Sequence, residues 1–265
     1  MTARILIAAG SDSGGGAGIQ ADIKTVTMLG GFAMTAITAV TVQNTLGVSG
    51  VHAVPADVVR AQIEAVLSDI GADAVKIGML GDAAAVAAVA DALHPWALPI
   101  VLDPVMVAKG GAALLQPDSV RALVERLLPM TTLVTPNLPE LAVLTGRAVE
   151  TETDMLEGAR ALVASGAPAV LAKGGHLEGE RVVDWLVGRD FELRFEGGRI
   201  HTSSTHGTGC TLASAIATGL GDGLDMPRAV ERGRAFVREA LLAAPGFGHG
   251  HGPMGHAAVR LDRLS

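Results

Sequence analysis

Residues 4–29 read RILIAAGSDSGGGAGIQADIKTVTML. An apolar run, Ile5–Ala9, leads through Gly10 into the glycine-rich segment Ser11–Gly18, and a helical pattern follows over Ile19–Leu29. A short apolar run bounded by glycine suits a buried strand, and glycines let the chain turn sharply into a helix. The order strand, glycine turn, helix then recurs in weaker forms along the chain. Ala33–Thr41, rich in β-branched residues, predicts a strand that ends at Val42-Gln43-Asn44. Pro55–Ser68 predicts a helix, Ala74–Met79 a strand, and Asp82 the cap of an alanine-rich helix through Leu93. Ile100–Asp103 and Leu133–Thr135 predict strands on either side of a helix over Pro117–Leu128. Helices follow around Pro139–Leu144 and Thr153–Ser165, then a strand at Ala169–Ala172.

Strands apolar throughout and separated by helices imply a parallel sheet covered on both faces. Arg181–Val187, Phe191–Phe195 and Arg199–Thr202 alternate more and predict a short antiparallel addition. Gly207-Thr208-Gly209 opens an apolar helix through Leu220, and Pro227–Leu242 is the last long helix. Pro245–Gly255, rich in Gly and His, is expected to be a mobile loop carrying His249 and His251, with His256 beside it. No repeat or linker divides the chain, so residues 1–265 are expected to form one α/β domain.

Composition narrows the function. Lys and Arg number 20 against 27 Asp and Glu, a net charge of −7. With no basic stretch and only 3% aromatic residues, neither phosphate neutralisation nor base stacking favours a nucleic-acid binder. A single cysteine, Cys210, excludes an internal disulfide and points to a reducing compartment. Thr25–Val51 carries no charge, yet its Gly30-Gly31, threonines and Gln43-Asn44 suit a turn, strand and loop better than a membrane helix. A cytoplasmic protein is expected.

Ligands of open parallel sheets sit beyond the carboxyl ends of the strands, where most unusual residues of this chain fall. Gly16-x-Gly18-x-x-Ala21 admits a dinucleotide reading, but the second strand ends in Gln43-Asn44 rather than in an acid. A plain tight turn and a loop that admits a small ligand are the alternatives. Thr205–Thr211 places Gly-Thr-Gly at a helix start, where backbone N–H groups and the helix dipole favour a phosphoryl group; Cys210 falls in the first turn, where a thiolate is favoured. A buried cysteine in a capped helix is the plainer alternative. Lys173 can neutralise phosphate or stand in solvent at a turn. Asn137 and Glu140 offer oxygens to Mg²⁺, or form a capping box. Asp103 is a further carboxylate on this rim.

Gly10–Asp22, Lys76–Leu80, Val101–Met106, Thr135–Glu140, Lys173–His176 and Thr205–Cys210, in this order, resemble the hydroxymethylpyrimidine/phosphomethylpyrimidine kinases of thiamine biosynthesis, members of the ribokinase-like superfamily. The resemblance implies a three-layer α/β/α fold with a mostly parallel sheet. It implies an ATP- and Mg²⁺-dependent kinase that phosphorylates 4-amino-5-hydroxymethyl-2-methylpyrimidine and then its monophosphate. By position, Gln43 matches the residue that hydrogen-bonds the pyrimidine. Gly10, Ala17, Val42, Met79 and Val105 match the pocket lining, and Asp22 a polar position beside it. Cys210 matches the place of a base, and the Gly207, Thr208 and Gly209 backbone an anion hole. Lys173, with Thr208 and Asp103, matches the ATP-binding residues, and Asn137 with Glu140 the region of metal-bound water. Gln43 stands where some relatives have Glu, and His249 where many have Lys. A homodimer is also implied. Pyridoxal kinase activity and a pyrimidine-sensing role without turnover are the competing readings.

Overall fold

The computed structural model describes residues 2–106 and 117–260. Strand β1 (Arg4–Asp12) passes through the glycine segment into α1 (Gly18–Met28) and returns as β2 (Phe32–Asn44), parallel to β1. There follow β3 (Gly47–Ala53), α2 (Ala56–Asp69), β4 (Ala74–Ile77), α3 (Ala83–Leu93), β5 (Ile100–Leu102), α4 (Pro117–Ala122) and β6 (Leu133–Val134). Helices α5 (Leu138–Thr145) and α6 (Glu152–Ala164) precede β7 (Ala169–Lys173), β8 (Arg181–Gly188) and β9 (Glu192–Gly198); α7 (Thr208–Gly221) and α8 (Met226–Leu242) complete the fold.

One sheet of order β3-β2-β1-β4-β5-β6-β7-β8-β9 runs through the described residues. The strands from β2 to β7 are parallel, and β3, β8 and β9 pair antiparallel at the two edges. Strand alternation divides the core into two layers. Leu6, Ala8, Val75, Ile77 and Leu102 pack against Val59 and Ile63 of α2, Val86 and Val89 of α3, and Leu162 of α6. Ile5, Ile7, Val101 and Leu171 face Val26 of α1, Ile216 of α7 and Val230 of α8. The three-layer arrangement expected from the sequence is therefore present.

Three local readings differ from expectation. Gly47–Ala53 is a strand although Gly47, Ser49 and Gly50 interrupt its pattern; its ladder with β2 supplies the order. Arg199–Thr202 does not join the sheet. The Arg199 guanidinium instead donates to the carbonyls of Gly175, Gly179 and Leu177, and the chain turns toward the strand ends. The Pro117–Leu128 helix is α-helical only to Ala122 and widens to a π turn over Leu123–Leu127, ahead of Pro129, which has no N–H to continue the ladder.

The same alternation turns Lys76 inward toward α1 and α7. Its Nζ donates to Asp22 Oδ2 at 2.8 Å, and both side chains are 0% exposed. Ser214 Oγ donates to Asp22 Oδ1 at 2.7 Å, tying α7 to the same carboxylate. Burial opposes the lysine's charge, but the facing carboxylates of Asp22 and Asp103, with the hydrogen bond to Asp22, outweigh it and hold Lys76 protonated. Removing one member strands a buried charge, so Lys76→Met is expected to cost about 3–5 kcal/mol in urea unfolding. Adding Asp22→Leu to that variant should restore most of the loss; equal stability of single and double variants would refute the pairing.

Candidate active site

The carboxyl ends of the parallel strands open into a cleft of about 610 Å³. It lies where β1 sits between β2 and β4, the point at which strand order reverses. The glycine segment forms one wall. Asp12 knots it: its carboxylate accepts from the amides of Gly14 (2.8 Å), Gly16 (3.0 Å) and Ala17 (2.8 Å), and from His206 Nε2 at 2.9 Å. Burial raises the Asp12 pKa, but the His206 bond and the amides of Ala17 and Gly14 more than compensate, so it lies below the usual carboxylate range.

The adjoining wall is the start of α7. Gly207 caps it at φ +84°, and no side chain occupies the cap. The amides of its first turn have no partners within the helix and stand at the positive end of its dipole. Gly207 packs so closely on Gly16 that a Cβ there would overlap the Gly16 carbonyl oxygen. Gly207, Thr208, Gly209 and Cys210 all line the cleft.

Charge gathers beside this turn. Lys173, at the end of β7, donates to Asp103 Oδ1 at 2.8 Å, and a Cβ on Gly209 would lie 3.2 Å from both Lys173 Nζ and Asp103 Oδ2. Burial opposes the Lys173 charge, but Asp103 and Glu140 outweigh it and raise its pKa. Asn137 and Glu140 form the capping box of α5: Glu140 N–H donates to Asn137 Oδ1 at 2.9 Å and Asn137 N–H to Glu140 Oε2 at 2.8 Å. Both also line the cleft, so the cap and the cleft use the same two side chains. Burial pushes the Glu140 carboxyl up to about 7 against the pull of Lys173, with Asp103 adding to the rise.

Cys210 departs from the expected thiolate. Burial pushes its thiol up to about 11; Lys76 opposes this, while Asp22 and Asp103 add to it. The Gly18 amide donates to the sulfur, but helix end and lysine together do not overcome desolvation.

Gly10, Ala17, Met79 and Val105 provide the less polar lining expected of them, and Gln43 projects into the same space. One expected lining residue does not. Val42 is 63% exposed on the outer face of β2, because alternation sends it away from Thr41 and Gln43. Asp22, expected at a polar position beside the pocket, lies behind the lining, where Lys76 and Ser214 hold its carboxylate. The histidine-rich tail is also more ordered than expected. The amides of His249 and Gly250 donate to Thr45 Oγ1, and that of His251 to Thr45 O at 2.8 Å, strapping the tail to the β2–β3 turn. His256 is buried, with Nε2 2.8 Å from Thr211 Oγ1, and burial lowers its pKa to about 4.

Sequence reasoning left Lys76, Asp12 and His206 without a role in the site. A lone lysine inside the otherwise apolar Ala74–Ile77 is a detectable signal for the first; the Asp12–His206 contact spans 194 residues and leaves no local signature. Among the described residues no group of three or more His, Cys, Asp or Glu side chains is placed to hold a metal ion.

This three-layer fold, with the glycine turn after β1 packed on the start of α7 beside the switch point, is that of a ribokinase-like protein. Residues 12–255 match the phosphomethylpyrimidine kinase family model, and the chain belongs to that family. It is 50% identical over 259 residues to the hydroxymethylpyrimidine/phosphomethylpyrimidine kinase of Rhizobium meliloti, covering 97% of each chain. It is likewise 50% identical over 259 residues to a thiamine biosynthesis bifunctional protein of Geobacter sulfurreducens, covering 97% of this chain and 53% of that one. Among solved structures, the ADP complex of Bacillus subtilis pyridoxal kinase superposes with a TM-score of 0.91 at 36% identity, covering 98% of this chain and 100% of that one.

Only the thiolate of Cys210 reacts with iodoacetamide. With the thiol pushed up to about 11, the alkylation rate should climb about tenfold per pH unit between pH 8 and 10. A rate already level at pH 8 would show a thiolate formed despite burial.

Proposed function

We propose that the protein transfers the γ-phosphoryl group of ATP to the hydroxymethyl oxygen of 4-amino-5-hydroxymethyl-2-methylpyrimidine, and then phosphorylates the monophosphate to the diphosphate, for thiamine biosynthesis. The observation that carries this reading is the cleft itself. Uncapped amides of Gly207–Cys210, Lys173 and a polar pyrimidine partner, Gln43, share one space of about 610 Å³ in a chain of this family. Residues 1–265 act in this reading as one kinase domain, supported by the single continuous sheet.

Phosphoryl transfer asks mainly for alignment and charge neutralisation. The amides at the start of α7 receive the equatorial oxygens of the moving group, and Lys173 faces the phosphates once Asp103 shares it with them. The substrate oxygen forms its bond to phosphorus as the bond from phosphorus to the β-phosphate oxygen breaks, releasing ADP. The hydroxyl proton passes to Cys210 Sγ in the enzyme form that carries the thiolate, a form that grows as the pH rises toward 11. Since burial works against that thiolate, the positive charge of Lys76 is part of the same device. A loose transition state gives up its proton late, so the base acts as transfer nears completion.

Mg²⁺ fits the cleft in one way. Among the described residues there is no cage of protein ligands, but the buried Glu140 carboxyl, raised to about 7, lies on the cleft close to Asp103 and favours an arriving positive charge. Glu140 and Asn137 would hold the ion through water, the nucleotide phosphates supplying the remaining oxygens. When bound, it neutralises phosphate charge.

Pyridoxal kinase activity is the second reading, favoured by the fold match to the Bacillus subtilis enzyme. The absence of a membrane-spanning helix among the described residues and the free Cys210 support a cytoplasmic setting. A homodimer is supported by β3, an open edge strand with no charged side chain, beside the exposed Val40, Val42 and Val51. Sedimentation should accordingly give about twice the chain mass, and a monomer at micromolar concentration would remove that element.

Mass analysis after incubation with ATP, Mg²⁺ and the pyrimidine alcohol should show the mono- and then the diphosphate, with pyridoxal turned over more slowly. Binding without ADP formation would favour a sensor instead. Cys210→Ala is expected to lower kcat by about 10²–10⁴-fold with the fold intact; activity within a factor of about two would remove the base.

A further inference from the structure

Gln43 sits in a network that conflicts with one orientation of its carboxamide and satisfies the other. As placed, its NH₂ group lies 3.2 Å from His206 Nε2 and its carbonyl oxygen 3.1 Å from Thr41 Oγ1. His206 Nε2 also lies 2.9 Å from Asp12 Oδ2. That carboxylate already takes three backbone N–H groups, and an ionised carboxylate only accepts, so the Nε2 position must carry the proton. The Gln43 NH₂ group then faces another donor. At the other end, the Thr41 hydroxyl gives its single hydrogen to the Ser11 carbonyl at 2.9 Å, leaving lone pairs toward the Gln43 oxygen. Oxygen and nitrogen of a carboxamide have nearly the same shape, and their partners decide which lies where. Turning the amide over relieves both conflicts: the single His206 Nε2–H is then shared, as a three-centre bond, between Asp12 Oδ2 at 2.9 Å and Gln43 Oε1 at 3.2 Å, and Gln43 Nε2 donates to Thr41 Oγ1.

We infer that His206, held by Asp12, and Thr41, held by Ser11, are specificity-determining positioning residues that lock the Gln43 carboxamide with its acceptor on the α7 side and its donor on the β2 side. This rests on the pyrimidine reading given above and deepens it. In the locked state Gln43 keeps one free lone pair and one free N–H. Together they match an edge bearing an exocyclic amine next to a ring nitrogen. The order matters because the carbinol stands next to the amine on the pyrimidine ring. An amine paired on the His206 side turns the carbinol onward to Gly207 and Cys210, the residues that follow His206 directly. The reverse order turns it away from them. The lock also discriminates chemically: a 4-oxo analogue presents an acceptor beside an N–H and meets the fixed pair in the wrong order.

The test compares the 4-amino alcohol with its 4-oxo counterpart as substrates with ATP, in the wild type, His206→Leu, His206→Gln and Thr41→Val. Wild-type turnover of the amino alcohol tests the pyrimidine reading by itself. For His206→Leu the inference expects the ratio of kcat/KM between the two substrates to fall at least tenfold. It also expects kcat on the amino alcohol to fall more than KM rises, because the ring then binds unproductively as well. Glutamine places an N–H near the same position, so His206→Gln should recover most of the ratio. Thr41→Val keeps the side-chain shape and should lower the ratio in the same direction, which keeps the test open if His206→Leu does not fold. A wild-type ratio retained in folded His206→Leu or Thr41→Val would overturn the inference. So would a loss of activity toward both substrates by the same factor.

Discussion

Two glycine turns held in contact set the geometry of this protein. Gly16, in the loop after β1, and Gly207, at the head of α7, approach so closely that neither site has room for a side chain: a Cβ on Gly16 would stand 2.5 Å from His206 Cδ2. Gly207 also needs its positive φ to release the amides of α7 toward the cleft. Because the loop is knotted around Asp12, and Asp12 in turn holds His206, the contact is pinned by hydrogen bonds on both sides. The first turn of α7, the pocket wall and the Gln43 network all take their positions from it.

Around that contact the protein keeps an unusual amount of charge out of water. Lys76 with Asp22, and Lys173 with Asp103, place two cations and two carboxylates near the start of α7. Neither arrangement is justified by stability alone, since buried pairs of this kind are often no better than well-packed apolar residues. Their value lies in fixed charge. The Lys76–Asp22 pair joins β4, α1 and α7 below the cleft and sets a positive charge against a thiol that burial drives upward. Lys173 and Asp103 stand at the cleft, where an arriving phosphate can compete for the lysine.

The sheet and most helices were legible from local patterns because each strand of a parallel core must be apolar on both faces, and caps such as Asp82 and Asn137 mark helix starts within a few residues. The misreadings fall where a partner supplies the order. β3 has too many small residues to declare itself, and its pairing with β2 makes it a strand. The tail reads as loose by composition, yet Thr45 gathers three of its amides. Val42 differs from Gln43 only in which side of β2 it faces at the sheet's rim.

Residue type and order along the chain were sufficient to fix the family, the alternation of strands and helices, and most of the residues that come to line the cleft, because those depend on short spacings. Tertiary structure alone decided which of these groups carry charge and which way they point. The state of Cys210 follows from burial beside Lys76, Asp22 and Asp103, and the orientation of Gln43 from Asp12, His206 and Thr41. Solvent exclusion and hydrogen-bond polarity act between residues far apart in sequence, and those neighbourhoods exist only once the chain has closed on itself.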